Sequence, residues 1–399
     1  MTDDDSAGTA AADRADWLAV RAHLRLNRHQ LSISARHCYG GAPTVEDTAL
    51  LTRPEWLPER PLEMDAVRTE WDDTPASPGR DAALRRVAQD SGLLPRRDDV
   101  GRFPSYSAAM RELARPAVFE DRFTYQLRHA DLTGGPDRSC MRFGAGSYFD
   151  GIDLGEACAH EYAASVMRLG RATPRHAAPP RATPLRDALG GPCRPDDRPS
   201  NLAVATLVLR HDPATGHACF PLHWRDPAKV GQAGGLYMVV PVGIFQPAGT
   251  GPHSRVNDFS VWRCVLREFA EELLGEPEDP GTAEPIDYGT WPVAARLDRE
   301  RTRRRIRTYV LGMGTDALTL ATDLLTVMVI DAELWDELAR RMSGTNAEGR
   351  LVTTGETEAP RLFRFDEAEI HRLVTELPLE TAGAALLRLA WRHRRDLLG

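Results

Sequence analysis

Three glutamates are clustered within residues 266–275, which read LREFAEELLG. This segment and the residues before it predict a helix with one apolar face, formed by Trp262, Val265, Leu266, Phe269 and Leu273. On such a helix Glu268, Glu271 and Glu272 lie within about 100° of one another on the opposite side. Carboxylates at these spacings repel one another weakly unless a hard divalent cation lies among them. The pattern favours a Mg²⁺ or Mn²⁺ site over its alternative, an ordinary acidic surface helix.

The same segment resembles the second half of the Nudix box, whose core reads Arg-Glu-aliphatic-x-Glu-Glu-x-Gly. The matching residues, in order, are Arg267, Glu268, Phe269, Glu271 and Glu272. The preceding segment MVVPVGIFQPAG is similar to the strand that enters the glycine-containing loop of that family. The resemblance covers roughly residues 200–399 and implies an α+β fold, with a Nudix-like mixed β-sheet sandwiched by helices.

The resemblance also implies a function. In Nudix hydrolases the clustered glutamates bind a divalent metal, and the enzyme hydrolyses a nucleoside diphosphate linked to another group. The three glutamates would then hold Mg²⁺ or Mn²⁺, which neutralises diphosphate oxygens and lowers the pKa of an attacking water. Arg267 would orient a glutamate through a bidentate pair. Glu348 and Glu356 are candidates for the general base only because they precede the last predicted helices, and a solvated loop residue explains either one better.

The front of the box departs from the family pattern. Its glycine and first glutamate are replaced by His253 and Phe259. Gly243 is a candidate substrate-binding residue if it takes the place of that glycine in a longer loop. The glycine that ends the box is displaced by one residue, since Leu274 stands at its position and Gly275 follows. Retention of the glutamates favours a hydrolase, whereas loss of the front favours a non-catalytic sensor of a nucleotide or metabolite in a regulatory protein.

An arginine-rich run at residues 299–307 follows the predicted site helix. Its sequence RERTRRRIR could bind the phosphates of a substrate, for which Arg304 and Arg305 are candidates, or a nucleic-acid backbone. A solvated helix end that runs into a strand explains the same run at least as well.

Two other metal-type patterns are incomplete. His160 and Glu161 begin an H-E-x-x-H zinc pattern, but Ala164 replaces its second histidine. Glu156 and His160 are four residues apart on a predicted helix, so a paired helix face explains them better than a metal site. The six cysteines include no C-x-x-C pair, which argues against a zinc site of paired cysteines and a disulfide scaffold.

Composition narrows the class of protein. An apolar fraction of 42% in 399 residues is enough for a sizeable core, and the net charge of −8 makes nucleic acid an unlikely partner. No apolar run is long enough to span a bilayer, and the acidic start of the chain is unlike a signal peptide. We therefore expect a cytoplasmic protein that binds a nucleotide-like small molecule, does not enter membranes and could form a homodimer.

Changes in composition and hydrophobic periodicity along the chain predict its domain organisation. We expect a disordered N-terminus at 1–16, an α/β accessory domain at 17–169, a Pro/Arg-rich linker at 170–199 and the Nudix-like domain at 200–399. The accessory domain should pack on the second half, because its apolar segments need partners to bury them. Predicted helices lie at 17–39, 82–91, 153–169 (with Asp153 as N-cap), 258–275, 331–341 and 370–398. Predicted strands lie within 119–141 and at 201–210, 217–224, 235–245, 305–311 and 324–330.

Overall fold

The computed structural model describes residues 3–399 except 75–77, 99–100, 118, 136–137, 169–182, 227–233, 277–283, 343–348 and 353–360. The helices in the first half are α1 (Asp3–Ala35), α2 (Pro78–Asp90), α3 (Tyr106–Leu113), α4 (Tyr148–Gly151), α5 (Ala157–Arg168) and α6 (Pro184–Ala188). Those in the second half are α7 (Pro252–Asn257), α8 (Val261–Glu272), α9 (Pro292–Thr302), α10 (Ala332–Ala339), α11 (Glu367–Glu376), α12 (Thr381–Arg392) and α13 (Arg394–Leu398). No helix in the described ranges combines the length and the apolar composition needed to cross a bilayer.

The strands fall into one large sheet and two small ones. In chain order they are β1 (Leu50–Leu51), β2 (Leu62–Glu63), β3 (Arg68–Trp71), β4 (Phe123–Asp131), β5 (Cys140–Ser147), β6 (Leu202–Asp212) and β7 (His217–Phe220). They continue with β8 (His223–Arg225), β9 (Tyr237–Met238), β10 (Val242–Ile244), β11 (Ile306–Asp316), β12 (Thr322–Asp331), β13 (Gly349–Leu351) and β14 (Phe363–Arg364).

The large sheet has the order β1, β11, β12, β6, β7, β14, and it is mixed because β12 and β6 run parallel. One edge of β6 is shared by two strands: its first part pairs with β10 and its last part with β7. The small sheets have the orders β3, β5, β4 and β13, β8, β9.

Alternate residues of the central strands face two helical layers, as the period of two in a strand requires. Val208 and Met328 pack with α8, α9 and α10. Leu207 and Val327 point the other way and pack with α11 and α12. The predicted mixed sheet between helices is therefore confirmed at this level of description.

Both halves of the chain contribute to the large sheet. Strands β1 and β2, from the predicted accessory domain, pair with β11. The small sheet of β3, β5 and β4 contacts the second half of the chain through β4, where the N–H of Leu127 donates to Ser200 O at 2.8 Å. The expectation that the first half packs on the second is confirmed, and the two predicted domains share one core.

Residues 3–16, where we expect disorder from composition, belong to α1 in the structure. Ala10 is buried, and the Asp13 carboxylate accepts hydrogen bonds from Arg96 N at 2.5 Å and Arg102 Nη1 at 3.1 Å. Composition alone could not predict these partners, because they lie far away in the chain.

The described part of the predicted linker, residues 183–199, is packed into the molecule. Arg186 is buried, and its guanidinium donates to the carbonyls of Ala317 and Leu318, both at 2.6 Å. The helix predicted to begin at Asp153 instead begins earlier: Ser147 caps α4, and a π-helical segment joins α4 to α5.

Candidate functional site

The helix α8 presents the predicted apolar face to the large sheet. Trp262, Leu266, Phe269 and Leu273 are all buried, which confirms the register of the helix. Ser260 caps its N-terminus, where the side-chain oxygen accepts a hydrogen bond from Arg263 N at 3.4 Å. Sequence periodicity predicted this helix well because one strongly apolar face determines its orientation.

Glu268 lies directly over the strand β10. A Cβ atom built on Gly243, in the middle of β10, would lie 2.0 Å from Cδ of Glu268. Only glycine therefore leaves room for this glutamate at its observed position. Both residues are predicted site residues, and they are in contact in the structure. Gly243 lies within a strand, however, and not in the expected loop.

Glu271 and Glu272 have different surroundings. Glu272 is buried, and its Oε2 accepts a hydrogen bond from Val242 N at 3.3 Å, so it joins α8 to β10. Glu271 instead lines a cavity of about 410 Å³ beside α8, which we call the α8 cavity. Glu268 lines the same cavity, and Glu272 is not among its described lining residues.

The α8 cavity is mainly acidic. Its described carboxylates are Glu268, Glu271, Glu276 and Asp287, and its apolar wall includes Pro247, Ile286 and Trp291. Trp291 Nε1 donates to Glu276 Oε2 at 3.0 Å. Hydrogen bonds from Thr290 and from Gly289 N lower the pKa of Asp287, so this carboxyl is ionised at neutral pH. The cavity therefore favours a cation, or an anion that arrives with one.

Arg267 fixes the wall of the cavity. Its Nη2 donates to Gln246 O and its Nη1 to the Tyr288 hydroxyl, both at 2.7 Å. The Tyr288 hydroxyl in turn donates to Asp258 Oδ1 at 2.8 Å, and Asp258 Oδ2 accepts from Ala248 N at 2.8 Å. These described contacts differ from the glutamate pairing that the Nudix resemblance implied for Arg267.

Asp258 and Tyr288 are not among the predicted site residues. Asp258 precedes the helix, where a capping residue is ordinary, and Tyr288 lies in an aperiodic segment before α9. Burial and the adjoining Asp258 carboxylate keep the pKa of Tyr288 above its usual value, despite the nearby Arg267. The neutral hydroxyl can therefore donate one hydrogen bond while it accepts another.

The donor set fits a metal only in part. Within the described residues, no group of three or more His, Cys, Asp or Glu side chains is arranged to hold a metal ion. Two of the predicted ligands, Glu268 and Glu271, do share a cavity. Mg²⁺ commonly uses one or two carboxylates and completes its shell with water and substrate phosphates. The arrangement thus suits a cation held jointly with a ligand, rather than one enclosed by three glutamates.

The arginine run lies elsewhere. Helix α9 ends at Thr302 and β11 begins at Ile306, so the interpretation of a helix end that runs into a strand is confirmed. Arg304 pairs with Glu63 at 3.2 Å. Arg305 pairs with Glu300 at 3.4 Å and with Asp331 at 4.0 Å. Neither arginine is among the described lining of the α8 cavity.

The candidate general bases Glu348 and Glu356 lie outside the described residues.

Glu156 and His160 form part of a buried network. Arg21 and Arg28 pair with the Glu156 carboxylate at 2.5 and 2.9 Å. Burial opposes ionisation of Glu156, but the two guanidiniums outweigh it and lower its pKa. Burial lowers the pKa of His160 to about 3, and its Nδ1 lies 3.1 Å from the Tyr106 hydroxyl. In these contacts Glu156 pairs with arginines of α1 and His160 contacts α3, so they differ from the expected pairing of the two residues with each other.

The α8 cavity brings together part of the predicted site. The cavity combines two glutamates from one helix, a strand glycine that makes room for one of them, and an arginine that fixes its wall. No model of a known protein family matches the chain, and no curated protein is significantly similar to it.

Proposed function

We propose that the chain hydrolyses a nucleoside diphosphate linked to another group, and that the diphosphate binds in the α8 cavity together with Mg²⁺ or Mn²⁺. The observation that carries this proposal is the common exposure of Glu268 and Glu271 to one acidic cavity. The resemblance of residues 266–275 to the Nudix box supports it, as does the mixed sheet between helices on which α8 lies.

Each residue of the cavity has a definite part in this proposal. Glu268 and Glu271 would hold the cation. A bound divalent cation supplies charge neutralisation of the diphosphate and a water of lowered pKa. Gly243 makes room for Glu268, and Glu272 holds β10 against α8. Arg267 keeps the Gln246 carbonyl and the adjoining loop in place.

A sensor that binds the same ligand without cleaving it is the second candidate. The observation that favours it is the use of Arg267 and Glu272 in contacts that join loop, strand and helix. Loss of the front half of the box at His253 and Phe259 points the same way. Under this alternative the α8 cavity, the cation and the diphosphate remain, and only turnover is missing.

The test measures hydrolysis and thermal unfolding together. Wild type, Glu268→Gln and Glu271→Gln are assayed on a panel of nucleoside diphosphate derivatives with and without Mn²⁺ or Mg²⁺. Each substitution removes a charge and a ligand oxygen at constant volume, so we expect turnover to fall by several orders of magnitude. The matched control is Glu333→Gln, an exposed glutamate of α10.

Cation binding adds a readout that does not depend on turnover. A ligand present at a hundredfold excess over its Kd stabilises the folded state by about 2.7 kcal/mol. Wild type should gain stability from the cation plus a diphosphate derivative, and the two α8 variants should lose that gain. Stabilisation without turnover would favour the sensor. Absence of both in wild type would overturn both candidates.

A further inference from the structure

A second cavity of about 300 Å³ lies on the opposite side of the large sheet from α8. It is half open and is bordered by the end of α1 with the two residues that follow it, the turn at residues 45–48 and the first two turns of α12. We call it the α12 cavity. Its basic side chains are His29, Arg36, His37 and Arg388, and its apolar wall includes Ile33, Leu379 and Ala384.

The charge of the α12 cavity is opposite to that of the α8 cavity. Asp47 supplies the one carboxylate among its described lining residues. That carboxylate is 83% exposed and pairs with Arg36 at 3.1 Å. Arg388 comes from α12 and donates through Nη1 to Glu46 O at 3.0 Å. The two guanidiniums outnumber the one carboxylate, so the cavity has a net positive charge.

The arginines also hold a strained turn. Glu46 and Asp47 have φ angles of 47° and 56°, in the left-handed region that non-glycine residues seldom occupy. Arg36 donates to the carbonyls of Asp47 and Thr48 at 3.1 and 3.2 Å. Such strain persists only where several contacts enforce it, and it is concentrated at functional sites. The turn thus fixes two guanidiniums, from opposite ends of the chain, around one cavity.

From this geometry we infer that the α12 cavity binds a phosphomonoester of a small organic molecule. The planar guanidiniums of Arg36 and Arg388 match phosphate oxygens, which accept several hydrogen bonds at once. The apolar wall formed by Ile33, Leu379 and Ala384 contacts the organic part. This site is separate from the α8 cavity, and the inference does not depend on the proposed hydrolysis.

The experiment is calorimetric titration of the full-length protein with inorganic phosphate and with phenyl phosphate. Both are measured in EDTA at an ionic strength matched with chloride, so that cation-dependent binding at α8 makes no contribution. We expect saturable binding of both, with phenyl phosphate at least fivefold tighter because its ring contacts the apolar wall. Arg388→Gln should weaken both at least tenfold, the effect of losing a charged hydrogen bond.

Three further variants make the test specific. Arg395→Gln removes the same charge from an exposed position on α13 and should leave both affinities unchanged. Ala384→Leu should weaken phenyl phosphate more than inorganic phosphate, because it fills the apolar side of the cavity. Glu271→Gln, in the α8 cavity, should have no effect on either ligand.

Three outcomes would overturn the inference. One is the absence of saturable binding in wild type beyond that of matched chloride. The second is an equal effect of Arg388→Gln and Arg395→Gln, and the third is a large effect of Glu271→Gln; either of these places the anion elsewhere. Circular dichroism of each variant establishes that it is folded before its affinity is compared.

Discussion

Glu380 and Asp323 are carboxyl groups that the fold shields from water, Asp323 being buried and Glu380 half-buried. Glu380 is the N-cap of α12, and its Oε2 accepts a hydrogen bond from Gly383 N at 3.0 Å. Burial raises the pKa of Glu380 to about 7, and the nearby Asp316 carboxylate adds to the effect. Burial, with Glu380 and Asp316 close by, also raises the pKa of Asp323 well above its usual value. These two groups bind protons more tightly in the folded than in the unfolded chain.

Glu380 should therefore make the protein less stable as the pH rises. Its contribution is fully present below pH 4.5, the ordinary pKa of the group, and is lost as the pH rises through about 7. Between those values the loss approaches about 1.4 kcal/mol for each pH unit. Glu380→Gln keeps an oxygen for the cap and abolishes the titration.

Urea unfolding of wild type and Glu380→Gln at pH 5 and pH 8 measures this difference. The free energy of unfolding of the variant, measured against that of wild type, should be higher at pH 8 than at pH 5. Glu376→Gln, an exposed glutamate at the end of α11, is the control and should follow wild type at both values. A difference between wild type and Glu380→Gln that does not change with pH would refute the prediction.

Gly243→Ala should displace Glu268 without unfolding the protein. The added methyl group meets the flexible side chain of Glu268, which can rotate away at a cost of about 1 kcal/mol. Under the proposed function, the stabilisation by cation and diphosphate should then be lost. Gly40→Ala, where a Cβ would meet nothing within 4 Å, should retain it. An unchanged ligand-dependent shift in Gly243→Ala would remove Glu268 from the proposed cation site.

At the scale of elements, the bridge from Tyr288 to Asp258 connects α8 with two loops. The Tyr288 hydroxyl lies between Arg267 and the fully buried Asp258 carboxylate. Tyr288→Phe should destabilise the fold by about 1–3 kcal/mol, because both charged groups lose a buried hydrogen-bond partner. Urea unfolding measures the change, and Tyr237→Phe, at a half-buried position in β9, serves as the control. Equal effects of the two substitutions would contradict a special role for this bridge.

Sequence periodicity predicted the elements whose own residues determine their orientation. The long strands β6, β11 and β12 and the helix α8 are of this kind. The three glutamates of α8 do not stay together as predicted, because Glu272 bonds to β10 while Glu268 and Glu271 line the α8 cavity. The strands β1 and β2 were missed because two residues carry no periodicity, and their partners in β11 define them. The bridge of Asp258 and Tyr288 was missed for the same reason, since the contact between them depends on tertiary packing.

At the scale of the whole molecule, the two halves of the chain complete one another. Residues 200–399 expressed alone would leave β11 without β1 and β2. This fragment would also lack the side chains that α1 contributes to the common core. We expect this fragment to aggregate or to lack cooperative unfolding, as judged by size-exclusion chromatography and circular dichroism.

Cleavage of the intact protein within residues 169–182 should instead leave both pieces associated. Their separation as two soluble folded units would contradict the shared core.

The pairing of Leu50 with Asp316 has a consequence for biosynthesis. At a translation rate of roughly 5–20 residues per second, β1 leaves the ribosome on the order of tens of seconds before its partner strand exists. During this interval α1 can pack on α5, which is made long before β11, but the edge of β1 lacks its partner strand. Pairings so distant in sequence also slow folding after release. The pairing edge of β1 therefore stays open on the nascent chain until β11 has emerged.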